Sequence, residues 1–147
     1  AEEKAEASFM ALNRKFTTEA DTVIYKANHH GSNGSNKEDF LNWLQPDYCL
    51  ISSAIVNAGG TVNFDQHPYY DAVTRIAKHT QEIYWNGITG TLRFEVTEDS
   101  VTVYGEGRTR NYTYNGAAVD PESEKNVTYL QSKWYQAGVE SKGWKEY

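Results

Sequence analysis

Residues 21–32 read DTVIYKANHHGS, and this stretch decides the fold. Its first seven residues are rich in β-branched and aromatic side chains, the composition of a buried strand. The strand runs straight into Asn28-His29-His30-Gly31-Ser32. A strand end is a rigid place from which to aim an imidazole at a metal ion. Gly31 permits a sharp turn, and the Ser32 hydroxyl can hydrogen-bond a ligand or an imidazole. The bland reading of the same residues is two histidines in a polar loop.

Helix and strand alternate outward from this point. Residues 1–14 (AEEKAEASFMALNR) are strong helix formers, with acidic residues crowding the first turn, where the helix dipole favours them. Ser35 or Asn36 is placed to cap a helix over residues 37–44, with Phe40, Leu41 and Leu44 as its apolar face and Pro46 ending it. Residues 47–54 (DYCLISSA) form a second buried strand, in which Cys49 is a small buried hydrophobe. A Gly-rich polar loop follows (NAGGTVNFDQ). His67-Pro68 then opens a helix through about Lys78, with Pro68 near its first position and Ala72, Val73, Ile76 and Ala77 as its stripe. A histidine at a helix start can ligate a metal, donate to an anion or serve as general acid; the bland alternative is an exposed cap residue. His79, at the far end, reads as a partner of the helix dipole.

Residues 82–85 read as a short strand. Residues 91–96 and 101–105 alternate apolar and polar side chains, the pattern of a half-exposed hairpin, and residues 110–114 suggest one more strand. The fold class is therefore α/β (α+β layered), a mixed sheet with flanking helices and a C-terminal hairpin. Residues 1–116 read as the main domain. Residues 117–147 read as a polar linker and an aromatic-rich extension, either an added helix or the start of another module.

The 147 residues suffice for one domain with a real core. Net charge is −6, from 14 basic and 20 acidic residues, with no long basic run. That balance excludes a general affinity for nucleic-acid backbones, although nucleic acid remains open as a substrate where metal ions supply the positive charge. One cysteine excludes an internal disulfide and a multi-cysteine zinc site. No apolar stretch approaches a membrane span, and no signal peptide opens the chain. The abrupt charged start has the look of an excised piece. The Asn-, Thr- and Tyr-rich composition leans towards an exported or cell-surface bacterial protein. A Ser-His-Asp triad lacks its G-x-S-x-G elbow, and no phosphate-loop or dinucleotide glycine fingerprint is present.

The motifs from Asp21 to His30, then Gly31-Ser32, Ser35, Phe40-Leu41, Pro46-Asp47, Leu50-Ile51-Ser52, His67-Pro68 and Gly90-Thr91-Leu92-Arg93-Phe94, fall in a familiar order. Over roughly residues 1–105 the chain resembles the second half of a metallo-β-lactamase superfamily hydrolase, in its ComEC-like (competence protein) branch. The resemblance implies half of an αββα sandwich. It also implies a parent enzyme with two divalent metal ions, zinc or manganese, cleaving phosphoester or nucleic-acid substrates.

Residue by residue, the resemblance makes His30, directly before Gly31, the last metal ligand. His29 is the neighbouring candidate, and the sequence does not separate the two. His67 matches the histidine of the family's H-P motif and takes a catalytic, substrate- or phosphate-contacting role near the cleft, with Ser32 and Asn57 as weaker substrate contacts. The departures matter as much. The superfamily's H-x-H-x-D-H run and its metal-bridging Gly-Asp are absent from this chain. The loop before His67 also differs, with Phe64 in the approximate place of the family's aromatic residue. Several ligands per ion are needed to fix a two-metal site. The expectation is thus an inactive fragment with no tightly bound metal, whose partner is the N-terminal half of the same fold. It would otherwise self-associate through an exposed sheet face. The alternative reading is a non-catalytic binding or interaction domain on a degenerate fold of this kind.

Overall fold

The computed structural model of the chain describes residues 2–12, 18, 20–55 and 67–142. Asn57, Phe64, Asp65 and the rest of the Gly-rich loop lie outside the described residues. The chain divides into two compact units, Ala1–Ser52 with Phe64–Ile83, and Ser53–Asn63 with Tyr84–Tyr147. The fold is mixed α/β, with helices and several sheets.

The first unit holds helix α1 (Glu2–Leu12), strand β1 (Ile24–Lys26), helix α2 (Glu38–Leu44), strand β2 (Tyr48–Ile51) and helix α3 (Tyr70–Ala77). Strands β1 and β2 are parallel, with Tyr25 opposite Cys49. Strand β3 (Ile83–Trp85) follows, and β1 lies at the edge of its sheet. Strand β1 is shorter than residues 21–27, because the ladder opens at Val23. The Val23 amide donates to the Asp47 carboxylate at 2.7 Å, while its carbonyl accepts from the Asp47 and Tyr48 amides.

The apolar stripes fall where the periodicity puts them. Phe40, Leu41 and Leu44 of α2 are buried, as are Ala72, Val73, Ile76 and Ala77 of α3. Cys49 is buried, and burial pushes its thiol up to about 12. Helix α1 behaves differently. Glu6 is its one buried side chain among those described, while Phe9 and Leu12 are exposed. Ile24 on the edge strand is exposed as well.

Two helix starts differ from the sequence reading. Neither Ser35 nor Asn36 caps α2: the cap residue is Lys37, whose amide donates to the Glu6 carboxylate at 3.0 Å. Helix α3 begins at Tyr70 with Tyr69 as its cap residue, so Pro68 precedes the helix instead of occupying its first turn. The His67-Pro68 bond is cis.

The second unit contains α4 (Asn86–Thr89), the antiparallel hairpin β4 (Leu92–Val96) and β5 (Val101–Gly105), the small hairpin β6 (Thr113–Tyr114) and β7 (Ala117–Ala118), and α5 (Lys133–Lys142). Asn115-Gly116 turns the small hairpin with φ of 52° and 77°, the left-handed pair that a two-residue turn of this hand requires. Its core is aromatic: Trp134 packs edge-on against Trp85 at 5.1 Å and Tyr112 at 5.5 Å. A buried Arg108–Glu124 ion pair (3.0 Å) lies beside it, with the Tyr112 hydroxyl donating to the same carboxylate at 2.6 Å. No helix among the described residues is long and apolar enough to cross a membrane.

Candidate functional site

The chain leaves β1 through Ala27 and turns at Asn28–Gly31, where three consecutive residues have positive φ: His29 at 44°, His30 at 57° and Gly31 at 78°. For a side chain bearing a Cβ that conformation costs roughly 1–2 kcal/mol per residue, so two adjacent histidines hold it only where their surroundings impose it. At Gly31 the requirement is steric as well. A Cβ there would stand 2.8 Å from Pro68 Cβ. The Gly31 carbonyl accepts from the Tyr69 amide at 2.9 Å, which ties the turn to the approach of α3.

This tie brings the three sequence-predicted histidines together. The His29 and His67 rings stack at 5.2 Å, and His30 lies edge-on to His67 at 6.2 Å. His30 Nδ1 contacts the Ser52 carbonyl at the end of β2. A carbonyl oxygen only accepts, so Nδ1 carries a proton, and in the neutral ring Nε2 is the nitrogen that offers a lone pair to an electrophile. A carbonyl behind the far ring nitrogen is the usual support of a metal-binding imidazole. Desolvation, and then the proximity of His29 and His30, hold the His67 imidazole below the ordinary histidine value. Ser32 is nearly buried, and its hydroxyl accepts from the Gly34 amide at 3.1 Å, closing the loop.

The surrounding network escaped the sequence reading. Asn36 is fully buried with φ of 59°. Its side-chain oxygen accepts from the Tyr25 hydroxyl at 2.7 Å and from the Asn28 amide at 2.9 Å. Its side-chain amide donates to the Asn28 and Ser32 carbonyls at 3.1 and 3.2 Å. Glu6 accepts from the Asn28 side chain at 2.8 Å and from the Asn36 amide at 2.7 Å. On the other flank Arg75 of α3 donates to the carbonyls of Asn33, Ser35 and Asn36 at 2.8–3.2 Å. A cleft of about 390 Å3 opens between α1 and the turn, walled by Phe9, Phe40, Glu6 and His29.

The residues present fit a metal ion only in part. His30 offers a prepared nitrogen, and two more imidazoles stand nearby. Yet among the described residues no group of three or more His, Cys, Asp or Glu side chains is arranged to hold a metal ion.

A mixed α/β protein with a strained histidine turn at a strand end is the class that the fold and site define. The particular likeness is to ComE operon protein 3 of Bacillus subtilis (strain 168), 30% identical over 71 residues. The match covers 48% of this chain, and the chain spans only 8% of that protein's length. No family model matches the chain, and no solved structure matches it.

Proposed function

We propose that this protein carries the histidine-bearing part of a metal-dependent hydrolase of the metallo-β-lactamase superfamily, acting on phosphoester or nucleic-acid bonds. The observation that carries the proposal is the convergence of His29, His30 and His67, with His30 Nε2 left available by the Ser52 carbonyl behind Nδ1. The order of motifs and the likeness to ComE operon protein 3 support it. His30 is the metal-facing nitrogen in this reading, His29 its alternate, and His67 the group that meets the substrate's anionic oxygen. When bound, two divalent ions such as zinc or manganese would activate a water and polarise the scissile group. The described histidines do not complete such a shell, so the remaining ligands come from outside the described residues. The exposed edge of β1, with Ile24, is where a complementary part of the fold would pair.

The test is a zinc and manganese titration of the purified chain, paired with hydrolysis of a chromogenic phosphodiester. Weak binding that drops further in His30→Ala, with no turnover by the chain alone, is the expected result. Stoichiometric nanomolar zinc would show that the ligands are already complete, and binding indifferent to His30→Ala would remove His30 from the site. The second reading is a non-catalytic interaction domain on a degenerate fold of this kind. It would be upheld if a longer protein containing this chain stayed inactive at saturating metal.

A further inference from the structure

Helix α1 packs in an unusual way. An amphipathic helix normally buries an apolar stripe and leaves its carboxylates in water. Here Phe9 is 44% exposed and Leu12 84% exposed, whereas Glu6 is 5% exposed. The Glu6 carboxylate points at the loop that carries the histidines. Oε1 accepts from Asn28 Nδ2 and from the Asn36 amide, and Oε2 accepts from the Lys37 amide. All three donors belong to the segment from the end of β1 to the start of α2, and Asn28 is the residue directly before His29.

We infer that Glu6 is a positioning residue, whose carboxylate holds His29 and His30 in their left-handed conformation. Two backbone amides and one side-chain amide converge on it, and only an acceptor with two oxygens satisfies all three. Through Asn36 the hold reaches further. The Asn36 side chain, seated by its own amide on Glu6, braces Asn28 and Ser32 on either side of the two histidines. Without the carboxylate, Asn28 and Asn36 lose their common anchor. The histidine pair is then free to relax to ordinary backbone angles, which withdraws His30 from the Ser52 carbonyl and His29 from the His67 ring. The inference rests on reading these histidines as the site. Its test reads ring geometry and not hydrolysis, so failure of the hydrolase proposal, seen in the metal titration, is distinguishable from failure here.

The experiment uses the full chain with 15N-labelled histidine at mildly alkaline pH. Long-range proton–nitrogen correlation reports which ring nitrogen carries the proton. In the parent chain His30 is expected as the Nδ1–H tautomer, the minor form of free histidine. Glu6→Ala should return His30 to a majority Nε2–H tautomer and abolish the ring contact between His29 and His67. Glu6→Gln keeps an oxygen for the Asn28 and Asn36 donors and gives up only the bond from the Lys37 amide, so the hold on Asn28 and Asn36, and with it the parent pattern, should largely remain. Phe9→Ala removes an aromatic contact of α1 with α2 but leaves the carboxylate, and should leave His30 unchanged. If Glu6→Ala fails to fold, Glu6→Asp, whose carboxylate stops one methylene short, takes its place with the same expectation. A folded Glu6→Ala or Glu6→Asp with an unaltered His30 tautomer overturns the inference. So does Phe9→Ala if it shifts His30 as far as Glu6→Ala does.

Discussion

Replacing Gly31 by alanine tests whether the histidine turn is held as tightly as its geometry implies. Two costs act at this position. The backbone φ of +78° lies in the left-handed region, which costs a residue with a Cβ roughly 1–2 kcal/mol. The added methyl also meets Pro68 Cβ at 2.8 Å and Pro68 Cα at 3.2 Å, so a ring and a backbone atom must move, and not a flexible side-chain tip. Overpacking of that kind costs about 1–3 kcal/mol, which brings the expected loss to about 2–5 kcal/mol. With a urea slope of about 1–3 kcal/mol per molar, the unfolding midpoint should fall by roughly 1 M or more. The turn and the approach to α3 are joined through the bond from the Tyr69 amide to the Gly31 carbonyl. The displacement therefore reaches His67, and its ring should leave His29. Urea unfolding monitored by histidine proton resonances reads both effects at once. A Gly31→Ala protein within about 1 kcal/mol of the parent, with the ring contact intact, would refute the claim that Gly31 is required at this contact.

Three further outcomes follow from other parts of the molecule. In the second unit, Arg108 and Glu124 side chains are 2% and 4% exposed, so Glu124→Ala strands a buried guanidinium and should cost about 3–5 kcal/mol in urea unfolding followed by tryptophan fluorescence; a loss under about 1 kcal/mol would contradict the pairing. Stability should fall on the alkaline side. Burial raises the Cys49 thiol to about 12 and lifts the Tyr112 phenol above its usual value, so both favour the folded state fully below their unfolded values, about 8.5 and 10, and lose that contribution as pH rises above them. A urea midpoint that stays flat between about pH 8 and 11 would contradict this. His67 should titrate below the ordinary histidine range, and His29→Ala should raise its midpoint by removing a neighbouring cation at low pH; an unmoved midpoint in a proton-NMR titration would remove that coupling.

Much of the fold was legible because it is written in local periodicity. The buried positions of α2 and α3 follow from apolar spacing alone, and the β4–β5 hairpin from alternation over residues 91–96 and 101–105. The start of α3 misled because a proline near a helical pattern usually marks a first turn, whereas here His67-Pro68 serves the contact with Gly31. The Asn115-Gly116 turn carried a local signal that was available and unused. Glu6 carried none. In a helix beginning AEEKAE, nothing distinguishes Glu6, which is buried, from Glu3, which faces water.

The histidines themselves illustrate why residue types and motif order locate a site without arranging it. His29 and His30 are adjacent, so any local reading treats them as interchangeable. The structure separates them through partners far along the chain: Ser52, 22 residues on, holds His30, while His67 stacks on His29. Ser52 follows β2 and His67 precedes α3, and the left-handed turn that meets them both has no local reason to form. Its conformation must therefore be supplied by the elements that grip it, namely Glu6 on α1, Arg75 on α3 and the carbonyl at the end of β2. A site so assembled depends on the packing of the whole first unit. Mutations at Glu6 or Arg75, which touch no histidine ring, should thus change imidazole geometry as strongly as mutations beside the rings.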